Sequence, residues 1–118
     1  MNRLAISLAG LCLAHTPWAY AQDAMQYGVK HLRVLAENDK ARVLKYTPER
    51  GNKTPLHSHP SSVLYIIRGG RIRVTMADGS TVEAELKSGD ALLRGPVTHS
   101  DEALDDLEVV LIELKNQP

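Results

Sequence analysis

The chain has 118 residues, with 14 Lys and Arg set against 14 Asp and Glu, no Phe, one Trp and a single Cys. Balanced charge excludes a nucleic-acid binder built on a basic stripe, and a lone cysteine excludes a disulfide framework within the chain. The length suits one domain with one modest core, a size whose stability can be helped by oligomerisation.

Taken in chain order, the first element is a leader. Arg3 precedes an apolar run of about ten residues ending at Leu13, and Ala19-Tyr20-Ala21 fits the small-x-small cleavage rule. Residues 1–21 therefore read as a secretory signal peptide, with a single domain over 22–118 and a periplasmic or secreted location. The apolar run is about half of what a permanent membrane span needs, and Leu11 before Cys12 argues against lipidation. Cleavage removes Arg3, Cys12, His15 and Trp18, leaving a thiol-free chain with one more acid than base.

Short β-type runs follow, separated by turn chemistry. Residues 29–35 and 41–46 are split by the polar cluster Glu37-Asn38-Asp39. Residues 63–67 form a continuous apolar run ending at Gly69-Gly70. In 71–76, Arg71 and Arg73 alternate with Ile72 and Val74, as in a strand with one wet face. Asp78-Gly79 makes a tight hairpin to 81–86. Residues 91–93 and 107–114 complete the set, and the acidic stretch 100–107 reads as a loop. Regularly spaced short strands without a helical segment predict an all-β sandwich or barrel.

The chemistry concentrates in Gly51-Asn52-Lys53-Thr54-Pro55-Leu56-His57-Ser58-His59-Pro60 and in the distant His99. A His-x-His pair in an extended segment presents both imidazoles on one face, and a third from another strand completes a metal-binding set. His31 lies apart and reads as a surface residue. Tyr65 shares the parity of Val63 and Ile67, so it is expected to point into the barrel as an acid or hydrogen-bond donor. Arg94 is the candidate clamp for a substrate anion, through its planar fork. Leu64 and Ile66 are left either to an intersubunit face or to the core.

These residues resemble the cupin superfamily over nearly the whole of 22–118. The first cupin motif runs Gly, five residues, His-x-His, three or four residues, Glu, six residues, Gly; Gly51, His57, His59 and Gly70 fall in register with it. Gly89-Asp90 and His99 are similar to the second motif. The strand HSHPSSVLYIIRGG is similar to small bacterial cupins associated with β-alanine degradation. The resemblance implies a double-stranded β-helix, or jelly roll. It also implies a divalent transition metal (Fe, Zn, Ni, Mn or Cu) on His57, His59 and His99. Val63, with Leu64 next to it, stands where the motif has a glutamate, so the ligand set is three imidazoles. An ion that keeps its full charge favours a small anionic partner. The functions expected are an enzyme, a dioxygenase first, or a non-catalytic periplasmic cupin that binds a metal or small ligand. The expected assembly is a homodimer.

Overall fold

The structure, a computed structural model, describes residues 23–26 and 28–115; the signal peptide expected over 1–21 lies outside them. Nine strands and no helix make up the described chain: β1 (Leu32–Glu37), β2 (Ala41–Tyr46), β3 (His57–His59), β4 (Ser62–Arg68), β5 (Gly70–Met76), β6 (Thr81–Leu86), β7 (Ala91–Arg94), β8 (Val97–Ala103) and β9 (Glu108–Leu114). They form two antiparallel sheets, ordered β1-β2-β9-β4-β7 and β3-β8-β5-β6. Most runs read from the sequence are strands. The correction is at 100–107: residues 100–103 continue β8, and the connection begins only at Leu104.

Two turns show how the sequence sets these strands. Gly79 closes the β5–β6 hairpin at φ 91°, its N–H donating to the Met76 carbonyl at 2.9 Å, a backbone state that glycine reaches without steric cost. Gly69 lets β4 turn into β5 against the chain leaving β6: a Cβ there would lie 2.1 Å from the Leu86 carbonyl oxygen.

Residues directly opposite one another on neighbouring strands share a face, so the register defines three rows across the five-stranded sheet. On its inner face, Leu44, Leu111, Leu64 and Leu92 align across β2, β9, β4 and β7. One step along the same face, Arg42, Glu113, Ser62 and Arg94 align across the same strands. On the outer face, Val43, Ile112, Val63 and Leu93 align instead. The core gathers on the leucine row, with Ala24, Val29, Leu44, Tyr46, Leu64, Ile66, Val109 and Leu111 in one cluster. Full burial of a side chain such as Leu44 or Ile66 contributes about 1.5–3 kcal/mol.

This register also reverses the expected phase of β4. Leu64 and Ile66 are buried in the core rather than offered to a second subunit, whereas Tyr65 and Ile67 are exposed at 48% and 44%.

Candidate metal centre and cavity

β3 is only three residues long, yet it is held on both sides. It pairs His57 with His99 and His59 with Val97 on β8, the Ser58 hydroxyl lies 2.7 Å from that of Thr98, and Asp23 bridges to Ser58. Pro60, with no N–H to give, marks the end of the pairing. The three imidazoles are buried, with ring centroids 4.8, 4.8 and 5.4 Å apart.

Each ring is oriented by chemistry behind it. The His57 Nδ1 lies 2.7 Å from the Pro55 carbonyl; a carbonyl can only accept, so Nδ1 carries the proton and Nε2 keeps its lone pair. The His59 Nδ1 donates to Glu113 Oε2 at 2.6 Å. Burial alone would raise the Glu113 pKa, but the hydrogen bond from His59 and the Arg42 guanidinium reverse this and hold it below the usual carboxylate range. Arg42 in turn bridges Glu113 (2.6 Å) and Asp23 (2.5 Å), and against its own burial Asp23 is also held low by Arg42. A buried chain Asp23–Arg42–Glu113–His59 thus runs from the first described residues to a candidate ligand. His99 Nε2 is buried without a hydrogen-bond partner among the described residues, 4.0 Å from Asp101 Oδ2.

Burial pushes the His57 pKa down to about 4, and burial with the neighbouring His57 pushes that of His99 down to about 3. Both are neutral at pH 7, the form in which imidazole ligates a metal. The candidate ligand atoms of all three lie within 4.8 Å of one another. Two nitrogens at about 2.1 Å on a tetrahedral ion lie about 3.4 Å apart, so a shift of about 0.7 Å by each side chain brings the widest pair into range. The residues fit a metal.

The imidazoles form one wall of a cavity of about 520 Å³ between the two sheets. Arg94, Asp101, Tyr46 and Thr54 add polar groups, and apolar residues including Leu64, Val74, Leu92, Val109 and Leu111 supply most of the rest. Asp101 lies in register with Val74, two residues from His99 on the same face of β8. It accepts from the Tyr46 hydroxyl at 3.1 Å, and burial raises its pKa. Burial likewise lowers that of Arg94, whose Nε and Nη2 are buried and meet no acceptor among the described residues.

Of the residues singled out in the sequence, the fold brings His57, His59, His99 and Arg94 to the cavity. Tyr65 is not among its lining residues; it sits on the opposite face of β4, which removes the geometry for its expected role. Leu64 takes the inward position and Val63 belongs to the outer row. Asp101, set aside as part of a loop, faces the cavity, and Glu113, Arg42 and Asp23 were missed. Glu113 had a signal: it shares the parity of Val109 and Leu111, a charge at a core position of a strand. Arg42, in phase with Leu44 and Tyr46, had the same one.

Two antiparallel sheets enclosing such a site define the cupin jelly-roll fold. Solved structures agree: the chain is similar to a cupin domain from Bordetella pertussis Tohama I (TM-score 0.66, 23% identity, covering 71% of this chain and 91% of that one). It is also similar to a cupin-like protein from Thermotoga maritima (TM-score 0.56, 25% identity, 74% and 71%) and a cupin superfamily protein from Desulfitobacterium hafniense (TM-score 0.55, 16% identity, 70% and 74%). No family model and no curated protein matches the sequence.

Proposed function

We propose that this chain is an exported cupin that holds one divalent transition metal on His57, His59 and His99 and acts there on a small anionic metabolite, with dioxygenation the first reaction to test. The observation that carries the reading is the convergence of three buried imidazoles, two of them with a ring nitrogen held from behind. When bound, the metal supplies Lewis acidity and a template for an anion and a second ligand. Among the chain's own residues, Glu113 orients His59, Arg94 offers positive charge to an anion, and Asp101 puts a buried carboxylate on the cavity wall where a proton can be held. Export rests on the leader over residues 1–21. A homodimer is supported by the outer row Val43, Ile112, Val63 and Leu93, since the outer face of an antiparallel sheet is ordinarily polar.

The test is elemental analysis of protein purified without chelator, beside His57→Ala and His99→Ala. Near-stoichiometric metal in the parent and its loss from both variants is the expected result; no metal in the parent and no uptake on titration overturns the reading. Oxygen consumption with a panel of carboxylates then decides between turnover and the alternative, a non-catalytic binding cupin. That alternative is favoured by the cavity wall, which carries few groups able to move a proton.

A further inference from the structure

Among the described residues, the buried side-chain nitrogens and oxygens without a hydrogen-bond partner belong to only three residues: Ser62, Arg94 and His99. His99 is accounted for by the metal reading. Ser62 and Arg94 stand opposite one another on β4 and β7, at the end of the polar row whose other members, Arg42 and Glu113, are fully engaged with each other, with Asp23 and with His59. The unpaired atoms of Arg94 are Nε and Nη2. These two form the edge of the guanidinium that takes a carboxylate through two parallel hydrogen bonds. Buried donors without partners carry a desolvation cost that no hydrogen bond offsets, so an anion that Arg94 can turn to meet recovers that loss on binding.

The surroundings restrict the anion. Among the described residues Arg94 is the only lysine or arginine lining the cavity, and beyond it the lining residues are largely aliphatic, among them Leu64, Val74, Leu92, Val109 and Leu111. Leu92 and Ala84, on the edge strands β7 and β6, are exposed and also line the cavity, so its approach from the surface is apolar too. In the aliphatic part, away from Tyr46, Thr54, Asp101 and the imidazoles, a second carboxylate or a sugar hydroxyl cluster would be buried without partners, which costs more than an apolar wall returns. A volume of about 520 Å³ exceeds what acetate or glycine fills and lies within the range of organic ligand sites.

We infer that the cavity takes an organic monocarboxylate with an extended apolar body, its carboxylate on Arg94 beside the three imidazoles and its body along the leucine row. This rests on the metal reading for what happens to the ligand, but not for how it is recognised. The test is calorimetric titration of the protein, purified without chelator, with octanoate, octan-1-ol and succinate, with metal content measured on every sample. Octanoate is expected to bind at least tenfold tighter than either comparison ligand. Arg94→Met should lower octanoate affinity at least tenfold at unchanged metal content. It should not lower the thermal midpoint of the ligand-free protein, because it removes an unpaired buried charge. Val74→Phe, which narrows the apolar part of the lining, should weaken octanoate at least fivefold. Succinate binding as tightly as octanoate, undiminished octanoate binding by Arg94→Met, or no octanoate binding at all overturns the inference. Samples that take up no metal on titration yet keep the octanoate and Arg94 pattern overturn the metal reading alone.

Discussion

The imidazoles depend on residues that never touch the cavity. Glu113 fixes the tautomer of His59 and is itself fixed by Arg42, and such outer partners typically carry tenfold to a hundredfold in metal affinity. Glu113→Gln should therefore bind metal about ten to a hundred times more weakly at unchanged stoichiometry, measured by competition with a chromophoric chelator. The depressed imidazoles also make the metal-free protein sensitive to acid. Their folded pKa values, about 4 for His57 and about 3 for His99, lie below the unfolded value of 6.5. The unfolded chain thus takes up protons that the folded one refuses. Stability from this source is complete above pH 6.5 and falls on acidification by up to about 1.4 kcal/mol per pH unit for each ring, until its folded value is reached. Asp23 and Glu113, held low by their partners, are lost in the same direction, while Asp101, raised by burial, opposes them. Urea unfolding of metal-free protein at pH 7 and pH 5 should show the drop, and added metal should enlarge it by competing with the same protons.

β4 shows at the scale of an element what could be read from the sequence and what could not. Its existence was plain, because 63–67 is an apolar run closed by two glycines. Its phase was not, because five consecutive apolar side chains carry no alternation to say which face is wet. The phase is set across the sheet: Ser62 sits between Glu113 and Arg94, which pulls Leu64 and Ile66 inward and turns Val63 and Tyr65 out. Where alternation existed, as in Arg71-Ile72-Arg73-Val74, the faces were assigned as they are found: Arg71 pairs with exposed Asp105 and Arg73 with Glu83 and Glu102. The continuation of β8 through 100–103 was hidden for a related reason. Asp101 looks like loop chemistry until Tyr46 and Thr54 are seen to cover it. A direct check on the phase is the pair Leu64→Glu and Val63→Glu. The first buries a carboxylate among leucines and should cost several kcal/mol in urea unfolding. The second lands on the outer face and should cost under about 1 kcal/mol within the subunit, its larger effect falling on the proposed dimer.

For the whole molecule, the proposed metal would lend stability to a small core. Metal at a hundredfold excess over its dissociation constant adds about 2.7 kcal/mol to a folded state that alone binds it. In a domain of this size each kcal/mol moves the thermal midpoint by roughly 4–8 °C. Chelator should therefore lower the midpoint of the loaded protein by about 10 °C or more, and readdition of metal should restore it. The Asp23–Arg42–Glu113–His59 chain adds an order of events. His57, His59 and His99 alone could be brought together by β3 and β8, but a ring held in position for the ion also needs Glu113 from β9 and, behind it, the segment around Asp23. A chain still emerging from a ribosome lacks one of these until residue 113 has been made. On the proposed metal reading, tight capture of an ion would be deferred until β9 has closed the sheet, and the metal would act as a seal on a finished fold rather than a seed for an unfinished one.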